Sequence, residues 1–259
     1  MKQVVARIVA LAGGAALALA ACIGHAAESA AEHWSYSGAT GPAKWSALSK
    51  EFKQCKAGEE SKQSPIDIPD AKARKGDLAG LLFNYKSVPL KIEDNGHTIE
   101  VVYPPGSFVS IEGKHYELQQ FHFHKPAEEK IDGKGHDMDA HLVHKGPDGK
   151  LMVIAILFDS GKENKTIKTL WDHLPKEKGK EVTVDTVKID AVDLLPNDKG
   201  YYTYAGSLTT PPCSEQVTWY VLKSPVQVSS EQIARFGRLY PNNARPIQPF
   251  NDRDIMGTR

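Results

Sequence analysis

The sequence predicts an α+β domain that is mainly β: a large, twisted, predominantly antiparallel central sheet with short peripheral helices. Three observations carry this. Stretches of alternating apolar and polar residues recur between turn residues, the pattern of half-buried strands. One run, "LMVIAILF" (151–158), is apolar on both faces and belongs mid-sheet, covered on both sides. Helical periodicity is confined to two short stretches.

In chain order, "HTIEVVY" (97–103) opens the strand series after the turn signal Asn95-Gly96. "SFVSIEG" (107–113), "KHYELQQFHFH" (114–124) and "DAHLVHK" (139–145) alternate in the same way, and "LMVIAILFDS" (151–160) follows. "NKTIKTLWDHL" (164–174) reads as a helix with Asn164 as its cap. "EVTVDTVKI" (181–189) and "VTWYVLKSPVQV" (217–228) read as strands. "SSEQIARFGRLY" (229–240) is the second helix, entered at Ser229 or Ser230 ahead of Glu231. No long Gly/Ser linker, repeat or low-complexity tract interrupts residues 27–259, which therefore read as one domain.

The N-terminus is of another kind. Lys2 and Arg7 precede "IVALAGGAALALAACIG", and small residues follow in "IGHAA", so residues 1–26 read as a secretory signal peptide cleaved near Ala26 or Ala27. A second reading competes: "LAAC" (Leu19–Cys22) has the form of a lipoprotein signal over 1–21, with Cys22 lipidated and the membrane touched only through that lipid. Both readings export the chain, to a bacterial periplasm, and leave about 230 residues, enough for a sizeable core.

Cysteine usage fits export. Beyond Cys22 only Cys55 and Cys213 remain, an even pair read as a disulfide in an oxidising compartment; the alternative is two separate buried thiols. A bridge would close a loop of about 160 residues, worth on the order of 4–5 kcal/mol in the chain-entropy account. Charge is balanced, 32 basic residues against 32 acidic, so no basic field exists to attract nucleic acid.

The chemistry concentrates around "QFHFHKP" (Gln120–Pro126). On a strand His122 and His124 share one face, and Phe121 and Phe123 the other. "DAHLVHK" then offers His141 and His144, three apart and so on opposite faces; periodicity leaves open which one joins the pair. Three neutral imidazoles with an open fourth position are the catalytic form of zinc coordination, and both cysteines that could build a closed structural site are spoken for. Alone, the other polar segments are bland: "YAGSLTTPPCSE" reads as a proline-stiffened surface loop, His97 after an Asn-Gly turn as surface polarity, and "EESKQSPIDI" as an extended stretch.

Together they are not bland. "HWSYSGATGPAKW", "CKAGEESKQSPIDI", "DNGHTIEV", "QFHFHKPAEE", "DAHLVHKG", "YYTYAGSLTTPPCSEQVTW" and "NNARPIQP" stand in the order and approximate spacing of the α-class carbonic anhydrases, which the chain resembles from about His33 onward. The segments around Cys55 and Cys213 are similar to the secreted bacterial branch, in which the corresponding cysteines are bridged. The resemblance implies one Zn2+ per chain on His122, His124 and His141, and reversible hydration of carbon dioxide to bicarbonate through zinc-bound hydroxide. It implies that Thr209 orients that hydroxide with Glu128 as its carboxylate partner. Thr210 falls at the bicarbonate position, and His97 at the proton shuttle, with Tyr36 and Asn95 ordering the water chain. Val143, Val153, Leu208, Val217 and Trp219 match the apolar wall for carbon dioxide; Gln120 and Asp139 match outer partners of the ligand imidazoles. It further implies anion and sulfonamide inhibitors, a side esterase activity and, for bacterial relatives, a homodimer. The competing function is a catalytically silent zinc-binding or adhesion module of the same fold. Silent relatives typically lose a ligand histidine, and all three are kept here.

Three departures from the family pattern stand out. Asp139 replaces the usual glutamate and is one methylene shorter, implying a stretched or water-relayed bond to His141 and weaker zinc retention. Glu129 stands where histidine is frequent, and strand alternation is expected to turn it away from the site. Glu100 replaces a neutral amide three residues after His97 and is expected to raise the pKa of that histidine or disfavour anions.

Overall fold

Thirteen strands form one mixed sheet in the computed structural model, which describes residues 33–259. The signal-peptide and lipidation readings fall on residues 1–32, outside the described residues. Eight strands carry the architecture: β1 (Val88–Asp94), β2 (Ile99–Val102), β3 (Lys114–His124), β4 (Met138–Lys145), β5 (Leu151–Ser160), β6 (Lys180–Ile189), β7 (Tyr201–Ser207) and β8 (Glu215–Leu222). Their spatial order is β6-β1-β2-β3-β4-β5-β8-β7, and beyond β7 lie the short strands Met256–Thr258 and Arg74–Gly76. Neighbours from β6 through to β5 are antiparallel, whereas β5 and β8 run parallel.

The predicted strands reappear with small changes. β3 and β5 keep their expected bounds, and β5 is buried along almost its whole length between β4 and β8, as its two-sided apolar run requires. "VTWYVLKSPVQV" breaks at Lys223–Pro225, because Pro225 has no N–H for a ladder; the second piece, Val226–Val228, pairs with the end of β5. The sequence reading omitted β1 and β7. β1 nonetheless alternates cleanly, with Val88, Leu90, Ile92 and Asp94 buried. Both helices form where expected. In α1 (Lys165–Asp172) the Asn164 side chain accepts the Ile167 N–H, and α2 (Ser230–Leu239) opens with a capping box between Ser229 and Gln232. The reciprocal partner is therefore Gln232, not Glu231; such a cap is worth about 1 kcal/mol.

Alternation along β3 divides the interior. Phe121 and Phe123, fully buried, join Leu90, Ile92, Val101 and Leu142 and are covered by Trp171 of α1 and Phe236 of α2, whose rings stack at 5.5 Å. Each such side chain stabilises the fold by roughly 1.5–3 kcal/mol through area removed from water. The opposite face of the sheet carries a second apolar cluster, including Val153, Val217 and Trp219, and the metal-ligand candidates. Gly206 is required there: a Cβ would strike Ser64 Oγ and come within 2.7 Å of the Trp219 ring.

Two long-range ties fix the irregular segments. Cys55 and Cys213 form the expected disulfide, Cα atoms 5.0 Å apart, in a small cluster with Trp45, Trp34 and Tyr36. The guanidinium of buried Arg245 donates to Gln63 Oε1, Ser64 O and Cys55 O, binding the "QSPI" segment and the disulfide loop to the C-terminal segment.

Candidate metal centre

Register decides the third histidine. Antiparallel β3 and β4 set His122 directly opposite His141, so their side chains stand on the same face; His144 lies opposite Leu118, facing the apolar layer. One ligand atom each from His122, His124 and His141 lies within 4.8 Å of the others.

Each imidazole is held by its other nitrogen. His122 Nδ1 is 2.7 Å from Gln120 Oε1, and His124 Nδ1 is 2.8 Å from the carbonyl oxygen of Asn243. A carbonyl only accepts, so His124 carries its proton on Nδ1 and its Nε2 is a lone pair. That Nε2 is buried with no hydrogen-bond partner. His141 points the other way, with Nε2 3.2 Å from Glu129 Oε2 and Nδ1 left free. Three lone pairs, each opposite a fixed N–H, make the donor set of an open zinc site, and the orphaned Nε2 of His124 is costly unless something fills it.

The outer contacts correct one expectation. Glu129 is fully buried and faces His141, because residues 125–129 belong to no strand and alternation does not govern them. Asp139 Oδ2 accepts the Glu128 N–H at 2.6 Å and stands 3.5 Å from His141 Nε2, the lengthening its shorter side chain implies. Burial alone disfavours a charged imidazole, yet Asp139 and Glu129 hold His141 well above the ordinary histidine value. Burial, then His124 and His141, push His122 well below it.

Glu128 is buried; its Oε1 accepts the Arg245 N–H at 2.6 Å, and its Oε2 has no hydrogen-bond partner. Thr209, also buried, lies in the loop after β7 but makes no hydrogen bond to Glu128. The five apolar residues of the resemblance lie together: Val153, Val217 and Trp219 are buried in one cluster, with Val143 and Leu208 packed against it, and Trp219 meets His141 edge-on at 4.8 Å. Thr210 is partly buried beside them in sequence, its carbonyl accepting the Cys213 N–H at 2.8 Å.

His97 stands apart from the triad. Its ring stacks on Trp34 at 3.7 Å, with His33 5.8 Å away. Burial, then His33 and Lys178, push its pKa below the ordinary value. The expected upward influence of Glu100 is not realised: Glu100 takes a hydrogen bond from Asn95 Nδ2 at 3.3 Å, and its own pKa is raised by burial, then by Glu93. Asn95 is committed to the turn, its Oδ1 accepting the N–H groups of His97 and Thr98. Tyr36 packs edge-on against Trp34 and Trp45; burial, then Glu128, raises its phenol.

The sequence reading missed Asn243 and Arg245. Asn243 accepts from His124 through its carbonyl, accepts the Lys125 N–H through Oδ1, and donates to the carbonyls of His97 and Phe123. The available signal was "NNARPIQP", one of the motifs of the resemblance, which lies 119 residues from His124 along the chain.

Comparison with known proteins agrees with this geometry. The family model for eukaryotic-type carbonic anhydrase matches residues 40–259. A carbonic anhydrase from Nostoc sp. is 40% identical over 240 residues, covering 91% of this chain and 89% of the relative. One from Pectobacterium carotovorum is 42% identical over 243 residues, covering 93% and 97%. Among solved structures, the α-carbonic anhydrase of Thermovibrio ammonificans in complex with sulfanilamide superposes with a TM-score of 0.83 at 44% identity, covering 87% of this chain and 99% of that one. Carbon dioxide hydration is the general activity of that family, and the large sheet and the histidine triad fit it. The chain belongs to the α-carbonic anhydrase family.

Proposed function

We propose that His122, His124 and His141 hold one zinc ion and that the chain hydrates carbon dioxide reversibly around it, with His97 as the proton relay. The carrying observation is the convergence of three imidazole lone pairs, each backed by a fixed N–H, with His124 Nε2 buried and unpartnered. Bound zinc supplies a Lewis acid that brings the pKa of coordinated water to about 7, a figure that belongs to carbonic anhydrases themselves.

The chain's residues do the rest. In the proposed cycle Glu128 Oε2, which has no partner in this structure, takes up the Thr209 hydroxyl proton, a contact made only in the working enzyme; with that proton committed, Thr209 Oγ1 accepts from the reacting water and turns the water's lone pair toward the substrate. Val143, Val153, Leu208, Val217 and Trp219 offer an uncharged, linear molecule an apolar wall and leave the bicarbonate product poorly held beside Thr210. Burial, then His33 and Lys178, hold the His97 pKa below its ordinary value, which favours passing a relayed proton on to solvent. Sulfonamide binding at the same centre rests on the relative solved with sulfanilamide. Export to the periplasm rests on the Lys2–Ala27 pattern and on the Cys55–Cys213 bridge, which needs an oxidising compartment.

The test is zinc content and carbon dioxide hydration together. The purified protein should hold one zinc per chain, and Thr209→Ala should keep that zinc while losing about 10²-fold or more of its turnover. Undiminished hydration in His122→Ala would overturn the site.

A further inference from the structure

Two carboxyl groups flank the Nε2 of His141 at unequal distances. Asp139 occupies the position of the usual outer acceptor, yet its Oδ2 is 3.5 Å from His141 Nε2 and already accepts the Glu128 N–H at 2.6 Å. The first separation lies beyond the 2.7–3.2 Å range of an N–H···O bond. Glu129 Oε2, at 3.2 Å, lies within it. Glu129 has no exposed surface, and its other oxygen finds no partner. Burial raises the Glu129 carboxyl to about 7, and its contact with His141 is the bond that offsets that burial. That bond is to the nitrogen of His141 opposite the proposed metal atom.

We infer that Glu129, not Asp139, is the residue that positions His141 for the metal. The shortening at 139 and the glutamate at 129 then form one compensating exchange: a carboxylate retreats from one side of the imidazole and another advances from the other. Asp139 is left to order the segment that carries the acceptors, through its bond to the Glu128 N–H. The inference rests on His141 being a zinc ligand.

The experiment uses zinc-loaded protein and two variants. Glu129→Met removes the acceptor at similar volume, whereas Asp139→Asn removes the charge and keeps an oxygen for the Glu128 N–H. Zinc release into excess chelator is followed by absorbance, and the His141 Nε2–H signal by proton NMR in the downfield imidazole region. Glu129→Met should release zinc about 10–100-fold faster than the parent, the usual cost of removing a ligand's outer partner, and should shift that proton upfield. Asp139→Asn should change the rate less than fivefold and leave the signal in place. A change below fivefold in Glu129→Met, or release from Asp139→Asn as fast as from Glu129→Met, overturns the inference. If Glu129→Met does not fold, Asp139→Asn decides alone: below fivefold supports the inference, fivefold or more overturns it. Failure of the zinc reading is separate, since it appears as a parent protein without stoichiometric zinc.

Discussion

His141 and His144 stand three residues apart on β4 and are equally buried, with 1% and 0% of their surface exposed. Their protonation runs in opposite directions. His144 meets the hydroxyl of Tyr85 at 2.7 Å, and burial pushes its pKa down to about 3. His141 meets two carboxylates, which overcome the same burial and hold it well above its ordinary value. Burial therefore sets only the penalty; the charge of the neighbours decides whether it is met. One strand thus builds a neutral core residue and a cation-seeking residue from the same side chain, by facing one to the apolar layer and the other to Asp139 and Glu129. At the proposed zinc site a metal cation on Nδ1 would displace the proton of a doubly protonated His141, so uptake would release that proton and weaken in acid.

Removing each histidine breaks the comparison most sharply. His141→Ala should lower zinc affinity by well over the about 10–100-fold that outer partners are worth, while His144→Ala should leave stoichiometric zinc and cost about 2–4 kcal/mol of stability through the cavity and the unpaired Tyr85. Metal analysis after dialysis, together with chemical unfolding, reads both; zinc loss from His144→Ala would erase the distinction.

Acid sharpens it next. His144 has a folded value below its unfolded one, so its contribution is fully present above pH 6.5 and is lost as pH falls from there toward about 3. At pH 4.5 the loss amounts to about 3 kcal/mol. His144→Gln, which can still hydrogen-bond Tyr85, should flatten that acid limb relative to the parent. Urea unfolding of both chelator-treated proteins at pH 7.5 and 4.5 gives the difference directly, and parallel limbs would refute the assignment.

The smallest effect concerns His97, which is only partly buried. Its value lies below that of a free histidine because of burial, then His33 and Lys178. Trp34→Ala opens the stacked face to water, so the imidazole should titrate higher, with the low-buffer pH–rate midpoint moving in the same direction. An unchanged midpoint would mean that the Trp34 stack does not supply the burial.

Much of this was legible beforehand where the signal is local. Alternation in "QFHFH" paired His122 with His124, the two-sided apolar run placed β5 at the centre, and Asn164 and Ser229 announced both helices. What stayed hidden depends on partners far along the chain. The choice of His141 rests on the register between β3 and β4, and the acceptors Asn243 and Glu129 lie in segments without periodicity. Glu129 was misjudged because a strand rule was extended past His124, where the strand ends. β1 escaped notice because Pro89 interrupts it, yet it sits where the ladder to β6 shifts register, beside a bulge that needs no donor.

The disulfide has a consequence for where this molecule can work. Cys213 lies three residues beyond Thr210, and Cys55 offers its carbonyl to Arg245, whose own N–H holds Glu128. One covalent bond thus ties the loop of threonines, at Cys213, to the segment at Cys55 whose carbonyl holds Arg245, the residue bonded to Glu128. A reducing cytosol would leave that brace open and the pair held by weak contacts alone. The redox state of the surroundings thereby reaches, through one bond and two hydrogen bonds, a buried carboxylate far from either cysteine along the chain.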